Sequence, residues 1–129
     1  MSIIAIDLGE KKVGIAIEIN NIAIPKKIVS RINLIRELKS IFEKNPNYTK
    51  IILGLPYDLY GIDNKQLNKT EKFIEKLKII FPEKKIIGVD ERFTTFEART
   101  ISKQIKNKKE VDDISASLIL NTYLELNKN

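Results

Sequence analysis

The sequence predicts an α/β fold with a five-stranded mixed sheet: a three-strand antiparallel meander plus two parallel strands, flanked by helices. The apolar run at residues 3–8, bounded by glycine and charge, is typical of a central strand covered on both faces. Asn20 and Asn21 form a favourable two-residue hairpin turn between the next two strands. Two further apolar runs, each preceded by a helical pattern, indicate right-handed crossovers to strands parallel to the first.

The hairpin strands are expected at residues 13–18 and 22–29. Ser30 is a plausible N-cap for the helix that follows, and Pro46 and Asn47 end that helix. The apolar residues of this helix recur at helical spacing: Ile32, Ile35, Leu38, Ile41 and Phe42.

The remaining elements alternate between helices and strands along the chain. They are a strand at residues 50–55, a polar loop at 57–66, a helix at 67–81, a strand at 85–89, a helix at 95–106 and a last helix at 111–126. Thr94 and Glu97 form a capping box that opens the helix at 95–106.

Length and composition predict one domain over residues 1–129. The net charge of +6 favours an anionic partner, most commonly nucleic acid, although a lysine-rich solubilising surface explains it equally well. Cysteine and histidine are absent, which excludes disulfides, Ser-His or Cys-His nucleophiles, and His-ligated zinc. No apolar run approaches membrane-spanning length, so we expect no membrane association and a cytoplasmic location.

Carboxylates from separate elements are expected at one edge of the sheet. Asp7 ends the first strand, and Asp90 and Glu91 follow the fifth. The carboxyl ends of parallel strands meet at a common edge, where ligands gather. Asp112 and Asp113 each head an apolar stripe of the last helix, so helical periodicity does not choose between them. Each carboxylate also has a structural explanation, as a turn cap, a loop charge or a favourable helix N-terminal charge.

Converging carboxylates repel one another unless a cation binds between them, and all-oxygen ligation suits Mg²⁺ or Mn²⁺. Two such ions would make a site for in-line phosphoryl transfer. Five other residues lie in segments that could reach substrate phosphates: Lys11, Lys12, Arg92, Thr94 and Thr95.

Four motifs, in order, resemble the YqgF/RuvX family of pre-16S rRNA nucleases, also called Holliday-junction resolvase-like proteins. The motifs are Ile6-Asp7-Leu8-Gly9 with Gly14-Ile15-Ala16, Gly54-Leu55-Pro56 with Gly61, Asp90-Glu91-Arg92-Phe93-Thr94-Thr95 with Glu97-Ala98-Arg99, and Val111-Asp112 with Ser115-Ala116 and Ile119-Leu120. Each motif is weak alone, but together they are specific and cover essentially the whole chain.

The resemblance implies an RNase H-like fold and metal-dependent cleavage of structured nucleic acid, with pre-16S rRNA as the expected substrate. It assigns catalysis and metal binding to Asp7, Glu91 and Asp112, favours Asp112 over Asp113, and leaves Asp90 as a helper. One departure is Lys12, where an arginine is common in the family; lysine keeps the charge but loses a bidentate phosphate grip.

Three alternatives remain open at the level of the sequence. The chain could be a DNA resolvase, or a non-cleaving module that binds structured RNA or DNA junctions. Asp7-Leu8-Gly9 also resembles the first phosphate motif of actin-like ATPases, which need two such domains around a nucleotide. The sequence is compatible with a monomer or a homodimer.

Overall fold

The computed structural model describes residues 2–57, 64–91 and 115–127. Its strands are β1 (Ser2–Leu8), β2 (Lys12–Ile19), β3 (Ile22–Ser30), β4 (Tyr48–Leu55) and β5 (Lys85–Asp90). In these ranges its helices are α1 (Leu34–Lys44), α2 (Lys65–Ile80) and α3 (Ser115–Leu126), with a 3₁₀ turn at Arg31–Asn33. None of the helices in this part of the chain is long and apolar enough to cross a membrane.

The five strands form one mixed sheet in the order β3-β2-β1-β4-β5. The pairs β1–β2 and β2–β3 are antiparallel, whereas β1–β4 and β4–β5 are parallel. Asn20 and Asn21 join β2 to β3 with φ values of 51° and 65°, which a two-residue hairpin turn with positive φ requires. The predicted meander, the two strands parallel to β1 and the central position of β1 are therefore confirmed.

Each face of the sheet is covered by different helices. Leu34 and Leu38 of α1 and Leu77 of α2 are fully buried with Ile4 and Ile6 of β1 on one face. The helix α3 covers the other face, where it packs against Ala5, Ala16 and Ile52 of the strands. The buried residues that α3 contributes are Ala116, Ile119, Leu120 and Tyr123. Because successive side chains of a strand alternate between faces, an apolar run is needed where both faces are covered.

The predicted start of the first helix was wrong. Ser30 is the last residue of β3, pairs with Lys12, and makes no capping hydrogen bond through its side chain. A 3₁₀ turn separates it from α1, so Ile32 lies outside the helix and is 93% exposed. Because strand pairing holds Ser30 in the sheet, the helix α1 begins only at Leu34.

The helix α2 begins two residues earlier than predicted, because the side chain of Asn64 accepts a hydrogen bond from the backbone N–H of Leu67. The polar loop predicted at residues 57–66 is correspondingly shorter. The predicted helix at residues 95–106 and its capping box lie outside the described residues. The start predicted for the last helix, at residues 111–114, also lies outside them.

Candidate active site at the carboxyl edge of the sheet

Asp7 lies near the carboxyl end of β1, between two glycine-bearing strands. On one side it pairs with Gly14 of β2. On the other side its neighbour Ile6 pairs with Leu53, so the next residue of β4 is Gly54. Asp7 shares side-chain parity with Ala5, which packs on the α3 face. The carboxylate of Asp7 therefore lies on the α3 face. The residues beside it on the two neighbouring strands are glycines, which have no side chain.

Glu91 lies against the sheet at Gly54. A Cβ added to Gly54 would lie 2.9 Å from Cγ of Glu91 and 2.6 Å from Cδ1 of Ile119, and it would also meet Oε1 of Glu91. The glutamate side chain therefore occupies the space that a side chain at position 54 would fill. Adjacent strands are about 4.8 Å apart, so Glu91 is brought beside the strand that carries Asp7.

The register distinguishes Glu91 from Asp90. Val89 pairs with Gly54 and packs on the α3 face, whereas Asp90, the next residue, pairs with Leu55. Alternation along β5 directs Asp90 to the opposite face from Val89. Of the two neighbouring carboxylates, Glu91 is the one placed on the face of Asp7.

The helix α3 begins at the same edge. Ile119 lies at Gly54, near the carboxyl end of β4. One helical turn later, the Tyr123 hydroxyl accepts a hydrogen bond of 3.0 Å from Lys50 Nζ, near the start of the same strand. The helix therefore runs antiparallel to β4. Its first described residue, Ser115, lies about 6 Å before Ile119 along the helix axis, toward the edge that carries Asp7 and Glu91.

The turn between β1 and β2 carries Lys11 and Lys12, both exposed. Gly9 N–H donates to Lys12 O at 3.1 Å, and a Cβ at Gly9 would collide with that oxygen, so the tight turn requires glycine. Lys12 has the parity of Gly14 in β2 and so faces the same side of the sheet as Asp7. Lys12 is thus placed to contact an anion bound beside Asp7.

Positive charge continues from this turn onto the first turns of α2. Gln66 Nε2 donates to Leu8 O at 3.4 Å, which places the start of α2 at the carboxyl edge. Lys65 and Lys69 are exposed there, and Lys69 Nζ lies 3.7 Å from Glu10 Oε1. Such an exposed ion pair contributes little to stability. The edge as a whole is suited to attract a polyanion.

The structure thus places Asp7, Glu91 and Lys12 on one face of this edge, with Lys11 exposed on the same turn and Asp90 directed to the opposite face. The remaining predicted residues lie outside the described ranges: Arg92, Thr94, Thr95, Asp112 and Asp113. Within residues 2–57, 64–91 and 115–127, no group of three or more acidic, histidine or cysteine residues could hold a metal ion. On the α3 face of this edge, the described residues offer the carboxylates of Asp7 and Glu91, whose hard oxygen atoms suit Mg²⁺ or Mn²⁺. The donor chemistry fits such an ion.

Sequence reasoning missed the roles of Gly54 and Arg31. Gly54 interrupts the apolar run of β4, and a glycine inside a strand is a known signal of close approach by another group. Arg31 gave no local signal. Its contact with the turn after Asp7, in which Nη1 donates to Gly9 O at 2.7 Å, exists only once β3 has paired with β2.

Comparison with known proteins adds to this geometry. Residues 1–126 match the family model described as "RuvX: Holliday junction resolvase". The chain belongs to the RuvX family. The predicted resemblance is confirmed, and with it the class of enzyme, a nuclease that hydrolyses phosphodiester bonds of nucleic acid.

Two curated relatives span nearly the same length as this chain, and each bears the name "Putative pre-16S rRNA nuclease". One, from Fusobacterium nucleatum subsp. nucleatum, is 36% identical over 135 residues, covering 97% of both chains. Another, from Bacteroides thetaiotaomicron, is 37% identical over 132 residues and covers 95% of both chains.

Among solved structures, a Fowlpox virus resolvase crystallised with its substrate Holliday junction DNA matches with a TM-score of 0.61. The match covers 100% of both chains at 21% sequence identity, which supports the fold alone. The mixed sheet with its strand order and flanking helices is consistent with the RNase H-like fold that the resemblance implied.

Proposed function

We propose that this RuvX-family protein is a divalent-metal-dependent nuclease that cleaves structured RNA, with the precursor of 16S rRNA as its substrate. The observation that carries the proposal is the seating of Glu91 against Gly54, beside the strand of Asp7. Two carboxylates from different strands on one face of a central sheet are the start of a site for hard cations. The relatives' shared name supports the choice of substrate. The proposal includes a single domain over residues 1–129 and a cytoplasmic location.

Asp7, Glu91 and Asp112 are the proposed metal ligands and catalytic residues. Asp112 precedes Ser115 by three positions in the sequence, and α3 starts at the edge that holds the other two carboxylates. When bound, a pair of Mg²⁺ or Mn²⁺ ions would supply an activated water and stabilise the leaving oxygen. The residues of the chain contribute the fixed positions of the oxygens, because β1 and β4 pair in parallel as far as Ile6 and Leu53, the residues just before Asp7 and Gly54.

Lys11 and Lys12 are proposed to bind phosphates of the substrate backbone, together with Arg92, Thr94 and Thr95. Lys12 faces the same side of the sheet as Asp7, and the turn that carries it is exposed. Contacts of this kind release counterions, so binding is expected to weaken steeply as salt is raised. The positive charge of α2 at the same edge would add to this effect.

The test is metal-dependent cleavage by the purified protein of an RNA fragment that spans an end of pre-16S rRNA. Asp7→Asn is expected to lose about 100-fold or more in kcat, since removal of one charge from a preorganised electrostatic site costs about that much. The matched control, Glu43→Gln, removes a carboxylate from the exposed face of α1 and should cleave as the wild type does. A folded Asp7→Asn protein with unchanged activity would disprove the assignment.

A Holliday-junction resolvase is the second candidate, because the family model carries that description. The same assay run on a synthetic four-way DNA junction distinguishes the two. Faster cleavage of the junction than of the RNA favours the resolvase. Salt-sensitive binding of either substrate with no metal-dependent cleavage favours a module that binds without cutting.

A further inference from the structure

Arg31 is the residue that ties the turn after Asp7 to the body of the protein. Its Nη1 donates a hydrogen bond of 2.7 Å to Gly9 O, and its backbone N–H donates one of 2.8 Å to Lys11 O. The side chain is half-buried. A single residue just after β3 therefore holds the carbonyl groups of Gly9 and Lys11, on either side of Glu10.

The guanidinium of Arg31 is itself held in place. Its Cζ lies 5.0 Å from the ring centroid of Phe73, whose side chain is buried beneath α2. A cation over an aromatic face is attracted by the ring, and a planar guanidinium can stack there while donating at its edge. Arg31 thus connects the turn to α2, and the turn cannot shift without breaking a charge-assisted hydrogen bond.

Asp7 and the two lysines are not anchored in the same way. Asp7 lies within the ladder, paired with Gly14, and its neighbour Ile6 is paired with Leu53. Lys11 lies outside the strands, so the turn sets its position, whereas Lys12, the first residue of β2, is held by pairing with Ser30 and by the hydrogen bond from Gly9 N–H to its carbonyl oxygen. Loosening the turn would displace Lys11 and remove the contact of Gly9 with Lys12, while leaving the carboxylate in the sheet.

We propose that Arg31 is a positioning residue for the proposed nuclease reaction, acting through the turn to aim Lys11 and Lys12 at substrate phosphates. The inference rests on the proposed function. Because Nη1 of Arg31 donates to Gly9 O in the turn that carries the lysines, its effect reaches the substrate through them. Loss of the Arg31 side chain should therefore weaken substrate binding and leave the chemical step largely unchanged.

The first measurement is steady-state cleavage of the pre-16S rRNA fragment and of the four-way DNA junction, with Mg²⁺ or Mn²⁺. We expect Arg31→Met to raise KM about 10-fold and to leave kcat within about 3-fold, since uniform binding is lost and the carboxylates stay in place. Arg31→Lys keeps the charge and one donor but not the planar fork, so it should recover part of the loss.

The deciding measurement is a double-mutant cycle. In a Lys11→Gln, Lys12→Gln background, Arg31→Met should change KM less than about 2-fold, because its route to the substrate is already gone. A role confined to stability would leave KM unchanged in both backgrounds and would lower the apparent kcat in proportion to the fraction of folded protein, measured by thermal unfolding of each variant.

The outcomes separate the inference from the proposed function. If the wild type cleaves, Asp7→Asn does not, and the effects of Arg31→Met and the lysine substitutions simply add, Arg31 does not act through the lysines and only this inference fails. If kcat falls with KM unchanged, the inference also fails. If the wild type shows no metal-dependent cleavage of either substrate, the proposed function fails and the inference falls with it.

Discussion

The seating of Glu91 against Gly54 makes a specific prediction for the variant Gly54→Ala. The added Cβ would lie 2.9 Å from Cγ of Glu91 and 2.6 Å from Cδ1 of Ile119. Carbon atoms in contact are about 3.5–4.0 Å apart, so each side chain has to retreat by roughly 0.6–1.4 Å. Both obstacles are side chains and not backbone, so the fold is expected to survive.

Stability and activity should respond differently to this substitution. Overpacking costs about 1–3 kcal/mol, partly offset by about 0.4–1 kcal/mol from the reduced freedom of the unfolded chain. A misplacement of about 1 Å at a reacting group can cost about 100-fold in rate. Gly54→Ala should therefore remain folded at assay temperature but lose about 100-fold in kcat.

Gly88→Ala is the matched control. It lies on β5, next to β4, and its added Cβ would meet Cδ1 and Cγ of Leu55 at 2.7 Å and 2.9 Å, a conflict of similar size. This conflict is with an apolar side chain and does not involve Glu91. The assay compares kcat for metal-dependent cleavage with the unfolding free energy from urea titration in both variants.

Two results would contradict the reasoning. If both alanine variants lost activity equally, strand distortion and not displacement of Glu91 would be the cause. If Gly54→Ala kept the wild-type kcat while Glu91→Gln was inactive, the glutamate would not need the space above Gly54 in order to act.

Two further predictions concern the fold. Burial, with a smaller contribution from Glu18, raises the pKa of Tyr48 above its ordinary value of 10.0. The contribution of the neutral Tyr48 side chain to the free energy of unfolding is therefore complete below pH 10 and is lost as pH rises through the raised pKa. Urea titrations between pH 9 and 12 should show a steeper loss of stability for the wild type than for Tyr48→Phe, and equal slopes would refute this. Ile32→Ser should change stability by less than about 0.5 kcal/mol, because the side chain is 93% exposed, whereas Leu34→Ala should cost about 2–5 kcal/mol. A large effect at position 32 would show that the helix begins earlier.

Local patterns were sufficient for most of the fold. The run at residues 3–8 is typical of a strand with two covered faces, and the asparagine pair tolerates the positive φ that its hairpin needs. Ser30 shows the limit of such patterns. Its hydroxyl suits a helix cap, but pairing with Lys12 in the neighbouring strand overrides that local preference.

The candidate site was predictable in its residue types and only partly in its geometry. Asp7 and Glu91 were expected at one edge because parallel strands end together. Whether Asp90 or Glu91 shares the face of Asp7 depends on the register of β5 against β4, which is set by the packing of both strands. The places of Asp112 and the residues at 92–95 stay predictions.

The sequence by itself determined that a carboxylate ends a central strand and that the chain lacks the groups for histidine or thiolate chemistry. These conclusions depend on composition and on short-range periodicity, which are present in the chain before it folds. Only the tertiary structure decided that Glu91 fills the space over Gly54 and that Arg31 holds the turn at Gly9. Both contacts join segments far apart in the chain, and they exist only because strand pairing and the packing of α2 and α3 bring those segments together.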